Sequence, residues 1–157
     1  MALVLTLVAL LNLAAASPHD QAPAGARARV NACSFLTREV AAKVAPTVNK
    51  IVLDMPPQEE PVGANGSSCN YATIGLQIDP FVRSEDLRRA PGKDWQPVSG
   101  VGDTAWFRSN ENRFAELMVW TGAHHFTIQM DVPNGGTAEQ TKPAAIELAR
   151  TIIPKLK

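Results

Sequence analysis

Residues 113–132 read RFAELMVWTGAHHFTIQMDV, two strand-length runs divided by Gly122-Ala123. Glycine at the first of two loop positions suits a type II′ turn, whose twist matches that of the strands it joins. A two-residue turn fixes the register, so Val119 faces Phe126, Leu117 faces Ile128 and Ala115 faces Met130. Side chains alternate between faces along a strand, and these six therefore make one wholly apolar face. The other face pairs Trp120 with His125, Met118 with Thr127, Glu116 with Gln129 and Phe114 with Asp131. An apolar face needs a cover, and the chain supplies one downstream. After Asn134-Gly135-Gly136 a helix is predicted over 138–153, with a stripe of Ala145, Leu148, Ala149, Ile152 and Leu156. Pro143 fits that helix only if it lies in the first turn.

Working upstream, a strand is predicted over 104–108, preceded by a loop through Gln96-Pro97-Val98-Ser99-Gly100-Val101-Gly102-Asp103. Ser84 caps a short helix that Pro91-Gly92 ends. Residues 69–81 are β-rich, with Ala72, Ile74, Leu76 and Ile78 on one side and Tyr71, Thr73, Gln77 and Asp79 on the other; a single strand and a hairpin bent at Gly75 both fit. The Pro-Pro, Glu-Glu and Asn-Gly elements of 56–68 predict a loop, and 48–55 a strand. Thr37 caps a helix that Glu39 favours in its first turn and Pro46 limits to about two turns. Successive strands joined by short turns make an antiparallel sheet. The class is α+β: an antiparallel sheet with a long C-terminal helix packed on one face and one or two short helices.

Residues 1–16 are apolar except for Thr6 and Asn12 and end in Ala14-Ala15-Ala16 before Ser17. This is the h-region and cleavage site of a signal peptide, although no Lys or Arg precedes it. Residues 17–30, rich in Pro, Ala, Gly and charge, form a flexible lead-in, and 31–157 a single domain. Export places the protein in the periplasm or outside the cell, with no membrane span after cleavage. Fifteen Lys and Arg balance fifteen Asp and Glu, so no electrostatic footprint for nucleic acid exists. Only two cysteines occur, and in an oxidising compartment Cys33 and Cys69 are expected to pair.

Cys33-Ser34-Phe35-Leu36-Thr37, Cys69-Asn70-Tyr71, the 98–106 stretch Val-Ser-Gly-Val-Gly-Asp-Thr-Ala-Trp and the terminal Glu147-Leu148-Ala149 helix together resemble a group of small exported bacterial domains of unknown function, many of them actinobacterial lipoproteins. The resemblance covers about Ala32 to Lys157. It implies the same Cys33–Cys69 pairing and an exported domain, and it carries no catalytic residues. Cys33 lies too far from the apolar run to be a lipidation cysteine.

The residue types that carry chemistry are sparse. His124 and His125 are neighbours on a strand and point to opposite faces, so they cannot chelate one ion together; His125 is expected beside Trp120. Ser99 lacks a nucleophile elbow. Gly100-Val101-Gly102-Asp103 leads into a strand, so it reads as a tight turn in which Asp103 bonds the local backbone rather than as a phosphate loop. No catalytic residue, cofactor or metal ligand is expected. One surface stands out: Phe114, Glu116, Met118, Trp120, His125, Thr127 and Gln129, with Trp106 or Phe107 joining according to register, mix aromatic anchors with hydrogen-bonding groups. A helix, from the Cys33 or the Ser84 segment, would cover it if it were core. Two function classes follow: a non-catalytic binding domain that takes an envelope protein or small ligand on this face or on the loops 56–68 and 91–103, and a hydrolase or other enzyme whose site is assembled from residues distant in sequence. The leader generates the first testable expectation. Exported protein should begin at Ser17, and an intact mass that retains residues 1–16 would refute it.

Overall fold

The computed structural model describes residues 29–44, 56–71, 73–79, 91–110, 113–132 and 136–156. The leader, residues 17–28 of the lead-in, the strand expected over 48–55 and the helix expected from Ser84 lie outside the described residues. In chain order the elements are a 3-10 turn (Ala32–Ser34), α1 (Arg38–Val44), β1 (Gln58–Val62), β2 (Gly66–Tyr71), β3 (Ile74–Asp79), β4 (Gln96–Pro97), β5 (Thr104–Asn110), β6 (Phe114–Thr121), β7 (His124–Asp131), α2 (Ala138–Ile152) and a closing 3-10 turn (Ile153–Lys155).

The strands form one antiparallel sheet in the order β1-β2-β3-β7-β6-β5-β4. At its centre, β6 and β7 pair in the register derived from the two-residue turn, from Phe114 opposite Asp131 to Thr121 opposite His124. Gly122 has φ +57°, the left-handed conformation that glycine adopts without steric cost. Alternation then sorts the side chains. Ala115, Leu117, Val119, Phe126, Ile128 and Met130 are buried, together with Ile74, Leu76 and Ile78 from β3 and Ala105 and Phe107 from β5.

Helix α2 covers this face across β5, β6 and β7, and its expected stripe of Ala145, Leu148, Ala149, Ile152 and Leu156 is buried, joined by Ala138, Thr141 and Ala144. The helix opens on a capping box in which the Gln140 side-chain oxygen accepts from the Thr137 N–H at 3.0 Å. Pro143 does not lie in the first turn; it is the sixth helical residue. Pro143 and Glu139 are both exposed, so the Glu139 carbonyl that proline leaves unbonded faces water.

The N-terminal segment packs on the same face beside the sheet's other half. Cys33 is bonded to Cys69 of β2, the Ala32 N–H donates to the buried Ser67 hydroxyl at 2.6 Å, and Leu36 is fully buried. Thr37 caps α1 as its sequence predicts, its hydroxyl accepting from the Val40 N–H at 3.3 Å. The Cys33 segment is therefore not a cover for the second face.

Several expectations need correction. Residues 56–68 are not a loop: β1 and the start of β2 form an edge hairpin turning through Gly63, φ +58°. Its outer strand is exposed on both sides over Gln58–Pro61, so no alternation marks it, and Pro61 occupies the edge position where a missing N–H costs no ladder bond. The β-rich segment after Cys69 is a hairpin, but the bend lies between Tyr71 and Ile74, and Gly75 pairs with Asn70 inside it. Tyr71 consequently joins Ile74 on the buried side. The loop before β5 contains the short edge strand β4, and β5 runs on to Asn110.

The Gly100–Asp103 turn has its glycines at φ +74° and +60°, but Asp103 does not bond its own loop. Its carboxylate accepts the N–H of Gly122 at 2.7 Å, and its N–H donates to the Trp120 carbonyl at 2.8 Å. A Cβ on Gly102 would stand 2.5 Å from that carbonyl, which leaves glycine as the only residue that fits. This loop thus clamps the β6–β7 turn from outside.

The disulfide joins residues 36 apart, and in the chain-entropy model such a closure contributes about 4 kcal/mol. That is a large part of the total stability of a domain this size, on the order of 5–15 kcal/mol. Urea melts of the Cys33→Ser, Cys69→Ser double variant should therefore show a clearly lower midpoint. An unchanged midpoint would show that the bridge adds nothing.

Candidate ligand-binding face

The register that buries one face lays out the other in rows crossing the strands. One row runs Gln58, Asn70, Gly75, Gln129, Glu116, Arg108 through β1, β2, β3, β7, β6 and β5. The next runs Glu60, Ser68, Gln77, Thr127, Met118, Trp106. Strands lie about 4.8 Å apart, so Asn70 to Arg108 spans roughly 19 Å.

Between these rows lies an open trough of about 310 Å³, lined by Asn70, Gln77, Gln129, Thr127, Met118 and Glu116, with Arg108 and Trp95 at one end. A second hollow of about 210 Å³ continues it past Asn70, Gly75 and Gln129 toward Tyr71 and Asp131. Gly75 makes the notch that joins them. A Cβ there would meet the Asn70 side-chain oxygen at 2.8 Å.

The side chains of Ser68, Asn70, Gln77, Thr127 and Gln129 bond to no other described residue. Asn70, Gln77 and Gln129 are exposed, and among the described residues nothing takes up their amide donors and acceptors. The charges on the trough neutralise each other: Arg108 and Glu116, cross-strand partners, form an ion pair. The Arg108 guanidinium also lies 4.7 Å from the centroid of the Trp95 ring, a cation–π contact that fixes the indole at the end of the trough.

Of the seven side chains expected on this face, Glu116, Met118, Thr127 and Gln129 line the trough. Phe114 is half-buried beside it, opposite Asp131. Trp120 is only 2% exposed and packs on His125 at 4.7 Å between ring centroids, so it is a packed residue, not a presented anchor. Trp106 joins this face opposite Met118, while Phe107 belongs to the core. The sequence reading missed Asn70, Gly75, Gln77, Arg108 and Trp95. Reading 69–79 as a hairpin would have found the first three. Trp95 comes from the 91–103 loop and carries no periodic signal.

Among the described residues no three His, Cys, Asp or Glu side chains converge as metal ligands do, and no helix is long and apolar enough to cross a membrane. Asp131 has its carboxyl pKa raised by burial. Compared with known families, curated proteins and solved structures, the chain matches none.

His125 has its pKa lowered, chiefly by burial, with Asp79, its cross-strand partner, opposing the shift in part. A histidine whose folded pKa is depressed favours the fold when neutral. The contribution is present above its ordinary pKa of about 6.5 and is lost as pH falls through the folded value. The wild type should therefore lose melting temperature between about pH 7.5 and pH 5, and His125→Gln should lose less over the same interval. Equal losses in both would show that His125 does not contribute.

Proposed function

We propose that this chain is an exported, non-catalytic binding protein that holds its ligand on the open sheet face. The observation that carries the reading is the pair of side-chain rows, Asn70, Gln77, Gln129 and Thr127 among them, which converge on one trough without hydrogen bonds to other described residues. An enzyme site gathers ionisable groups with perturbed pKa values around a cleft, whereas a binding face offers free amides with an aromatic anchor. The trough has the second composition. Its two charged groups neutralise each other, and its Trp95 and Met118 supply apolar contact.

Export rests on the leader pattern, on the Cys33–Cys69 bond, which suits an oxidising compartment, and on the resemblance to small exported bacterial domains. The test is site-specific crosslinking in cells that express the full chain. A photoreactive residue replacing Gln77 should label an envelope component, while the same residue replacing Glu147 on the exposed side of α2 should not. Equal labelling at both positions, or labelling only at Glu147, would refute the reading.

A further inference from the structure

We propose that the trough takes an uncharged oligosaccharide lying across the strands. This rests on the binding reading above and names its ligand class. A solvated sheet face ordinarily carries charged side chains, yet across β2, β3, β7 and β6 the two trough rows contain a single ionisable residue, Glu116, and it is paired. Between β2 and β5 the trough thus holds no uncompensated charge to select an ionic ligand, Glu60 standing at its β1 end and Asp131 in the adjoining hollow. What remains is a set of amides and hydroxyls: Ser68, Asn70, Gln77, Thr127 and Gln129.

Sugar hydroxyls both donate and accept, and a side-chain amide offers two N–H donors and a two-lone-pair acceptor in one plane, so it can bridge neighbouring hydroxyls of one ring. The amides are spread over β2, β3 and β7 rather than gathered at one point, as a chain of repeating units requires. Sugar rings also present an apolar C–H face, and the Trp95 indole, fixed by Arg108, with Met118 beside it supplies the matching surface. A peptide bound by strand addition would instead need an unpaired strand edge for its backbone, and the trough lies on the face of the sheet, away from its edges. Its open form, continued by the second hollow past Gly75, leaves length for more than one ring.

The mature protein, applied to an array of neutral oligosaccharides with their sulfated and uronic-acid counterparts, should bind neutral members and prefer them over the charged ones. Gln77→Ala and Gln129→Ala should each weaken that binding by roughly tenfold, the loss of a single well-made hydrogen bond at the upper end of its usual worth. Gly75→Ala, which displaces the Asn70 amide without touching the buried face, should also weaken it. Circular dichroism and melting temperature should be unchanged in all three. No binding to any neutral glycan, binding confined to charged glycans, or binding indifferent to all three substitutions would overturn the proposal. If the Gln77 crosslinker labels a polypeptide while the array stays silent, the face binds but the ligand class is wrong. Silence in both experiments removes the binding reading as well.

Discussion

A β6–β7 register displaced by one residue would carry Ala115, Leu117 and Val119 to the solvent side and bring Glu116 and Met118 under α2. The two-residue turn at Gly122-Ala123 forbids this, and the fold guards it from a second direction. The Asp103 carboxylate holds the Gly122 N–H, and Gly102 lies against the Trp120 carbonyl, where no Cβ fits. Since β3 pairs with β7 and β5 with β6, the same register decides which residues of four strands are core and which line the trough. Hydrophobic burial supplies the energy, and the turn supplies the phase.

The cysteine, capping and glycine-turn motifs of the sequence are accounted for by this architecture. In Cys33 to Thr37 the cysteine is bonded, Leu36 is in the core and Thr37 caps α1. The 98–106 stretch clamps the central turn and begins β5, with the Val98 N–H donating to Ala105. In Cys69-Asn70-Tyr71, as at Ala105-Trp106, the two faces meet within one motif. Cys69 and Tyr71 point to the core, and Asn70 between them points to the trough. These motifs serve packing and turn chemistry, and carry little information about a ligand.

How far the sequence could be read follows from how strongly each segment is constrained on one side. The central hairpin and α2 each bury one face and expose the other, so alternation and a helical stripe were visible, and the register came out residue by residue. Strand β1 escaped because it is an edge exposed on both sides with Pro61 within it; the signals that protect an edge from aggregation are those that disguise it as a loop. The hairpin after Cys69 was ambiguous because Gly75 resembles a bend and instead marks the notch between two amides. Half of the trough was therefore legible, the part on β6 and β7. The half on β2 and β3 depended on a turn no strong signal marked, and Trp95 depended on a loop whose position only the assembled sheet fixes.

The edges also bear on which surface remains exposed among the described residues. Glu59 on β1 receives Arg29 at 2.8 Å and Asn31 at 2.8 Å, so the segment leading into the domain is tied to that edge, and at the opposite edge β4 ends in Pro97. Both edges are poor templates for an added strand. The buried face is filled by α2 and the disulfide-bonded turn. Among the described residues, what stays accessible is the face whose side chains share a backbone with the core but almost none of its packing. Exchanging Gln77 or Gln129 removes no buried apolar area, whereas exchanging Leu76 or Ile128, one residue away in each strand, opens a cavity in the core. Side chains on this face can therefore vary with little cost to stability, which is the condition under which one scaffold can carry different sites.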